Sequence, residues 1–293
     1  REDFTSMDFY HRTNSPEGKW RFIDFWQEHE QAGYVDFAGG RTFMINQMTT
    51  GTGPTANQSD AAAAASIQPY LPASMLDTTT LRLHAQRADL ANRPPLKTTV
   101  NAIEVGNQGL PPNTTTWLGS FMTTERYAFD TRYDIHRPAY VEFRFRVTPA
   151  NINGAFLSIW LYTAGTESHP AGDGKHEVEI DMFGSDDVSP LLWKSNIHKV
   201  ANQNTPLTHH SAWIDGNFHT YGLLWEPNSL KVYRDNVLSN SLTGADADWF
   251  SVPMRLMITN TPDPYWAAGL GKAVPAATSD IYLDIDYIYV WRP

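Results

Sequence analysis

Apolar and polar residues alternate with period two through much of the chain, while the 3.6-residue period of a helix is scarce. The clearest case is Ala139–Thr148, AYVEFRFRVT. Val141, Phe143, Phe145 and Val147 share one face there, and Glu142, Arg144 and Arg146 share the other. The same spacing predicts strands over residues 42–48, 81–86, 154–162, 177–183, 196–200, 218–225, 231–233, 255–259 and 281–291. Turn residues separate them: Pro149-Ala150-Asn151, Gly172-Asp173-Gly174, Pro227-Asn228-Ser229 and Asp235-Asn236. Many short strands at near-even spacing predict an all-β protein built as an antiparallel sandwich or barrel.

No Pro/Gly/Ser-rich linker divides the chain and no internal repeat is visible, so residues 1–293 read as one domain. Two stretches look inserted. Residues 49–65 are small and polar before an alanine run, and residues 89–112 carry Pro94-Pro95 and Pro111-Pro112. Loops of that length in a compact domain are usually functional or mobile.

Composition narrows the chemistry. The 293 residues hold 22 basic and 32 acidic side chains, a formal charge of −10, which argues against a general nucleic-acid binder. No run of eighteen apolar residues suggests a membrane helix. The absence of cysteine removes disulfides, thiolate nucleophiles and Cys-ligated zinc. Ten Trp, 13 Tyr and 14 Phe are compatible with a sandwich core, and equally with flat faces that stack on sugar rings. No G-x-S-x-G elbow, phosphate loop, dinucleotide fingerprint or H-E-x-x-H helix is present, and the adjacent pair His209-His210 is the nearest approach to metal-ligand spacing.

The most informative segment is KHEVEIDMFGSDD, residues 175–187. Glu177, Glu179 and Asp181 lie at i, i+2 and i+4, so on a strand they share one face at about 7 Å per step. Val178, Ile180 and Met182 anchor the opposite face. Clustered acids repel and raise one another's pKa, an arrangement useful to acid–base chemistry. Glycoside hydrolysis with retention needs such a set: one carboxylate as nucleophile and one carboxylic acid, roughly 5–5.5 Å away, to protonate the leaving oxygen. An acidic solvated strand in an acidic protein would present the same residues.

The flanking motifs favour the first reading. Glu179-Ile180-Asp181 resembles the opening of the E-x-D-x-x-E or E-x-D-x-E strand of glycoside hydrolase family 16. Gly154 to Tyr162 is similar to that family's preceding strand, and Ser195-Asn196-Ile197-His198 to its N-x-H strand. Phe218 to Trp225 resembles its F-H-x-Y-x-x-x-W strand, Lys231 to Leu238 its hairpin, and Pro253 to Leu256 with Ile285 to Trp291 its last strands. The likeness runs from about residue 117 to the C-terminus. It implies an antiparallel β-sandwich, a jelly roll with a concave cleft, in which Glu179 is the nucleophile and Asp181 its helper.

One position departs from the pattern. Where the bulged motif places its acid/base glutamate, this chain has Gly184. Three explanations are open: Glu177, Glu179 and Asp181 form the unbulged triplet with Asp181 as acid; Asp186 or Asp187 reaches back; or the acid is absent and the chain is a non-catalytic carbohydrate-binding relative.

The resemblance further implies a retaining, endo-acting glycoside hydrolase. The closing I-D-Y-I-Y-V-W and Pro262-Asp263-Pro264-Tyr265-Trp266 point to red-algal galactans: agarose, porphyran, furcellaran or κ-carrageenan. A laminarinase-like β-1,3-glucanase is the further alternative. Trp160, Phe156, His198, Asn196, Trp266 and Arg126 are the candidate substrate contacts, with Arg132, Arg137, His209 and His210 as other partners for sulfate. Asp286 aligns with a ligand of the family's structural calcium ion; catalysis itself needs no cofactor. The expected partner is a sulfated or neutral polysaccharide, with no nucleic acid and no membrane. A monomer is expected, secreted or periplasmic in a bacterium, its leader outside this chain.

Overall fold

The computed structural model describes residues 20–22, 33–37, 40–45, 73–87, 115–124, 133–148, 150, 155–163, 178–185, 193–199, 203–204, 208–210, 215–248, 250–262 and 280–293. The two expected insertions, 49–65 and 89–112, lie outside these residues. Seventeen strands, β1 to β17, and one helical turn at Ala245–Asp248 make up the described elements.

The strands form two sheets. In the first the order is β15-β14-β13-β7-β17-β5-β4, antiparallel throughout: Val237–Thr243, Ser229–Arg234, His219–Glu226, Ala139–Thr148, Ile281–Trp291, Leu81–Arg87 and Ala73–Met75. In the second, β10 (Trp193–Lys199), β9 (Val178–Ser185), β8 (Ala155–Thr163), β16 (Met254–Pro262) and β6 (Thr115–Thr123) run side by side. Beyond β10 lie β11 (Gln203–Asn204) and β12 (Thr208–His210). Beyond β6 lie β1 (Arg21–Phe22) and β3 (Gly40–Ile45), with β2 (Gly33–Phe37) outside β3. The β3–β6 pair is the parallel exception. β5 joins the layers: Leu81 to Ala85 pair with β17, and Gln86 and Arg87 with β6.

The period-two pattern explains the layers. Val141, Phe143, Phe145 and Val147 are buried while Glu142, Arg144 and Arg146 stay half-buried. Facing them across the core are Leu157, Ile159 and Leu161 of β8 and Val178 and Ile180 of β9. Burying both inner faces is the main force holding the sandwich together. Asp235 and Asn236, with φ of 45° and 67°, form the hairpin turn between β14 and β15, as the sequence predicted. Strands β1, β2, β4, β6, β11, β12 and β15 were not predicted. β15 is a sheet edge with Val237 and Leu238 exposed, so it lacks a buried face to impose alternation.

Candidate active site

The acidic strand β9 lies between β8 and β10, and pairing with both fixes its register. Trp160 of β8 pairs with Asp181 and Ile159 with Phe183, so Met182 has no partner on that side. On the other side Asn196 pairs with Asp181 and Lys194 with Gly184, leaving Ser195 alone opposite Met182 and Phe183. This is a β-bulge, one extra residue in β9. Its physical anchor is the core. Met182 and Phe183 are both buried there, and the Phe183 ring meets Phe145 at 4.7 Å and Tyr221 at 5.3 Å, while Phe145 and Tyr221 stack at 4.6 Å.

The bulge decides what faces outward. Side chains paired across antiparallel strands share a face, so the site is a grid of three rows. Tyr162, Glu179 and His198 form one; Trp160, Asp181 and Asn196 the next; Ser158, Gly184 and Lys194 the third. The register is therefore that of the bulged motif, with Gly184 third on the face after Glu179 and Asp181. Glu177, together with Asp186 and Asp187, lies outside the described residues.

Glu179 and Asp181 hydrogen-bond each other. His198 Nε2 stands 3.1 Å from Asp181 Oδ2 and 3.8 Å from Glu179 Oε1. Burial first, and then the neighbouring charge of Asp181, push the Glu179 carboxyl far above the usual carboxylate range; the charge of Lys194 pulls the other way. Glu179 thus gives up its proton less readily than an isolated carboxyl. The two carboxyls touch, closer than the roughly 5–5.5 Å between nucleophile and proton donor in a retaining glycosidase. Such closeness suits a carboxyl that orients its neighbour better than one that protonates a leaving oxygen across the scissile bond.

The other sequence candidates separate. Asn196 is buried beside Asp181, with its amide nitrogen against the His198 ring. Trp160 lies on the site face but is only 7% exposed, and its indole N–H donates to Thr259 Oγ1 at 3.2 Å. It forms the floor of the site, with Tyr162 edge-on at 5.8 Å, rather than an open platform. Phe156 has its backbone in β8 opposite Thr261, and His209 and His210 have theirs in β12; Arg126, Arg132 and Trp266 lie outside the described residues. Arg137 is not at the site: its guanidinium donates to Pro227 O and Asp248, beyond the end of the first sheet.

Among the described residues, Asp286 belongs to no group with metal-ligand spacing. Its carboxylate is ion-paired with Arg144, whose guanidinium also covers the Phe218 ring, whereas calcium requires six to eight oxygen ligands. The donor atoms of Glu179, Asp181 and His198 lie within 4.8 Å of one another, so among the described residues this group has metal-ligand spacing. Those atoms are already satisfied by one another.

Sequence reasoning missed Lys194. A lysine on a strand carries no motif, and only the pairing of β10 with β9 sets it over Gly184. A Cβ built on Gly184 would meet Lys194 Cγ and Cε, each at 3.6 Å.

Known proteins place this geometry. The β-glucanase of Fibrobacter succinogenes is 35% identical over 105 residues, which is 34% of this chain and 28% of that protein. Xyloglucan endotransglycosylase/hydrolase protein 8 of Oryza sativa is 28% identical over 44% of this chain and 43% of its own length. The chain thus spans less than half of either relative. Among solved structures, the endo-β-1,3-glucanase of Pyrococcus furiosus superposes with a TM-score of 0.55 at 16% identity, covering 75% of this chain and 76% of that one. LamA of Zobellia galactanivorans, in complex with laminaritriose and laminaritetraose, superposes with a TM-score of 0.56 at 14% identity, covering 94% and 92%. These likenesses establish the jelly-roll sandwich as the fold. The sequence pattern described as Glycosyl hydrolases family 16 matches residues 112–289, a span that takes in β9, its bulge and both neighbouring strands, and the chain belongs to that family.

Proposed function

We propose that the chain is a retaining glycosidase whose sugar subsites take β-linked glucan chains, with Glu179 as the nucleophile. The observation that carries this reading is the Glu179–Asp181–His198 cluster on the face of β9 and β10 that turns away from the core. Two acids set against each other there gain nothing for folding, since their repulsion raises the Glu179 pKa. A proton shared with Asp181, oriented by His198, gives the Glu179 oxygen a fixed direction toward an anomeric carbon. Tyr162 and Trp160 line the adjoining floor. The chemistry needs carboxyl groups and water, and no cofactor enters it.

Glucans are favoured over galactans by the relatives, whose names are β-glucanase and xyloglucan endotransglycosylase/hydrolase. Red-algal galactans are the second reading, resting on the C-terminal strand motifs. A polymeric substrate also favours action outside the cytoplasm, because such chains do not cross a membrane.

The test is covalent trapping. A 2-deoxy-2-fluoro β-laminaribioside with a dinitrophenyl leaving group is expected to label Glu179 stoichiometrically, with the modified peptide identified by mass spectrometry. Labelling elsewhere, or none, overturns the assignment. Affinity electrophoresis through laminarin, mixed-linkage glucan, xyloglucan, agarose, porphyran and κ-carrageenan then names the polymer. Retention by agarose or κ-carrageenan alone would replace glucan with galactan. Retention without labelling would make the chain a binding relative.

A further inference from the structure

The third row of the grid holds a feature that the fold does not require. Gly184 sits on the site face with φ outside the left-handed region, and a Cβ there would make ordinary contacts of 3.6 Å with the Lys194 side chain. Neither backbone strain nor a close backbone neighbour demands glycine. The Lys194 stem lies across β9 at this glycine, and its charge acts on Glu179. The Lys194 side chain therefore crosses the position that follows Glu179 and Asp181 on the site face, where the bulged motif carries its third acid.

We propose that Gly184 and Lys194 set the leaving side of this site: the glycone is a β-glucan chain, and the group it is cleaved from departs as an anion, the conjugate base of a phenol, a carboxylic acid or a phosphate, with the Lys194 ammonium taking up the developing charge. The inference rests on Glu179 being the nucleophile. In the first step a Glu179 oxygen bonds to the anomeric carbon as the bond from that carbon to the aglycone oxygen breaks. The electron pair leaves on that oxygen, so no proton is needed. In the second step water attacks the same carbon, the ester bond to Glu179 breaks, and the water's proton passes to solvent. A preorganised cation beside a developing oxyanion is worth most in a partly desolvated site. An alkoxide of an ordinary sugar hydroxyl is too basic to leave this way, and loss of general acid catalysis costs about 10²–10⁴-fold on such bonds.

The test is a series of aryl β-laminaribiosides with phenols of decreasing acidity. For the wild-type chain kcat/KM is expected to fall by at least about 10³-fold across the series, the range that general acid catalysis otherwise compensates. Azide, a nucleophile that needs no base, is expected to speed turnover and give a β-glycosyl azide. Lys194→Met is expected to lower kcat/KM by about tenfold or more, with the larger loss on the less acidic phenols, and Lys194→Arg to retain most of it. The double variant Gly184→Glu with Lys194→Ser is expected to flatten the series. A shallow series in the wild type, with Glu179 labelled, would overturn the inference while leaving the nucleophile in place. That outcome would show a proton donor outside the third row. Failure to label Glu179 would overturn both.

Discussion

Two clusters of acids and cations lie on opposite outer faces of the sandwich, and they are wired differently. On the first sheet Asp284 is fully buried, yet Arg82 grips it with two hydrogen bonds, at 2.6 and 2.9 Å, and Arg146 adds a third at 2.9 Å. Arg82 also lies over the Tyr282 ring at 4.3 Å, and Arg146 over Phe218 at 4.7 Å. Each carboxylate oxygen there has a guanidinium partner, so the buried charge is compensated. On the second sheet Glu179 and Asp181 face each other, and the charge of Lys194, whose stem crosses Gly184 in the next row, offsets their conflict only in part. The first arrangement spends its charges on holding strands β5, β7 and β17 in register. The second leaves a charge conflict that folding alone would remove. Residue types are nearly the same in both places; partner geometry separates scaffold from site.

The comparison breaks most sharply at Glu179. Glu179→Gln is expected to reduce turnover of an activated aryl glycoside by about 10⁴-fold or more, since loss of a nucleophile removes the covalent path. Circular dichroism and thermal melting should show a folded chain of equal or higher stability. Near-normal turnover would place the nucleophile elsewhere.

Asp284→Asn tests the opposite expectation. It leaves two guanidinium groups facing a neutral amide in a buried position, so unfolding free energy is expected to drop by about 3–5 kcal/mol in urea titrations. The kcat/KM of the remaining folded protein should be unchanged. A loss of activity without loss of stability would join the two regions functionally.

His198→Gln sharpens the division within the site. The imidazole touches Asp181 without being positioned to attack a substrate, so a loss of about 10–10²-fold in kcat is expected, with little change in stability. An unaltered kcat would reduce His198 to a structural neighbour.

The smallest effect is a slope. Glu179 binds its proton more tightly folded than unfolded, so its contribution to stability is complete at acid pH. That contribution is lost as pH rises from the ordinary carboxylate range through the raised folded value. Wild-type stability, followed by urea midpoints from pH 5 upward, should therefore decline with a component that Glu179→Gln removes. Parallel curves for the two proteins would contradict the raised pKa.

Much of this was legible along the chain. The alternation in Ala139–Thr148 gave both faces of β7, because a strand half buried in a sandwich must alternate. Asp235-Asn236 announced its hairpin through two residues that tolerate positive φ. The pairing of Glu179 with Asp181 also followed from period two. The alternation nevertheless misled beyond Asp181. Taken strictly, Met182 buries and Phe183 emerges, whereas the structure buries both. The reason is non-local: Phe183 fills a space bounded by Phe145 and Tyr221, from strands far away in sequence, and the extra residue lets it reach.

The ion pair at Asp286 was hidden for a similar reason. An acid on a strand has no visible partner in sequence, and Arg144 reaches it only because β7 and β17 are neighbours.

The sequence by itself determined the all-β class, the face on which Glu179 and Asp181 lie, and the family motifs around them. These depend on residue periodicity and order, which a linear chain records. The tertiary structure alone decided the bulge, the place of Gly184 after it, and the lysine from the next strand that lies across that glycine. Each of these depends on which strands are adjacent and in what register, and that is settled by the packing of two whole sheets against one core.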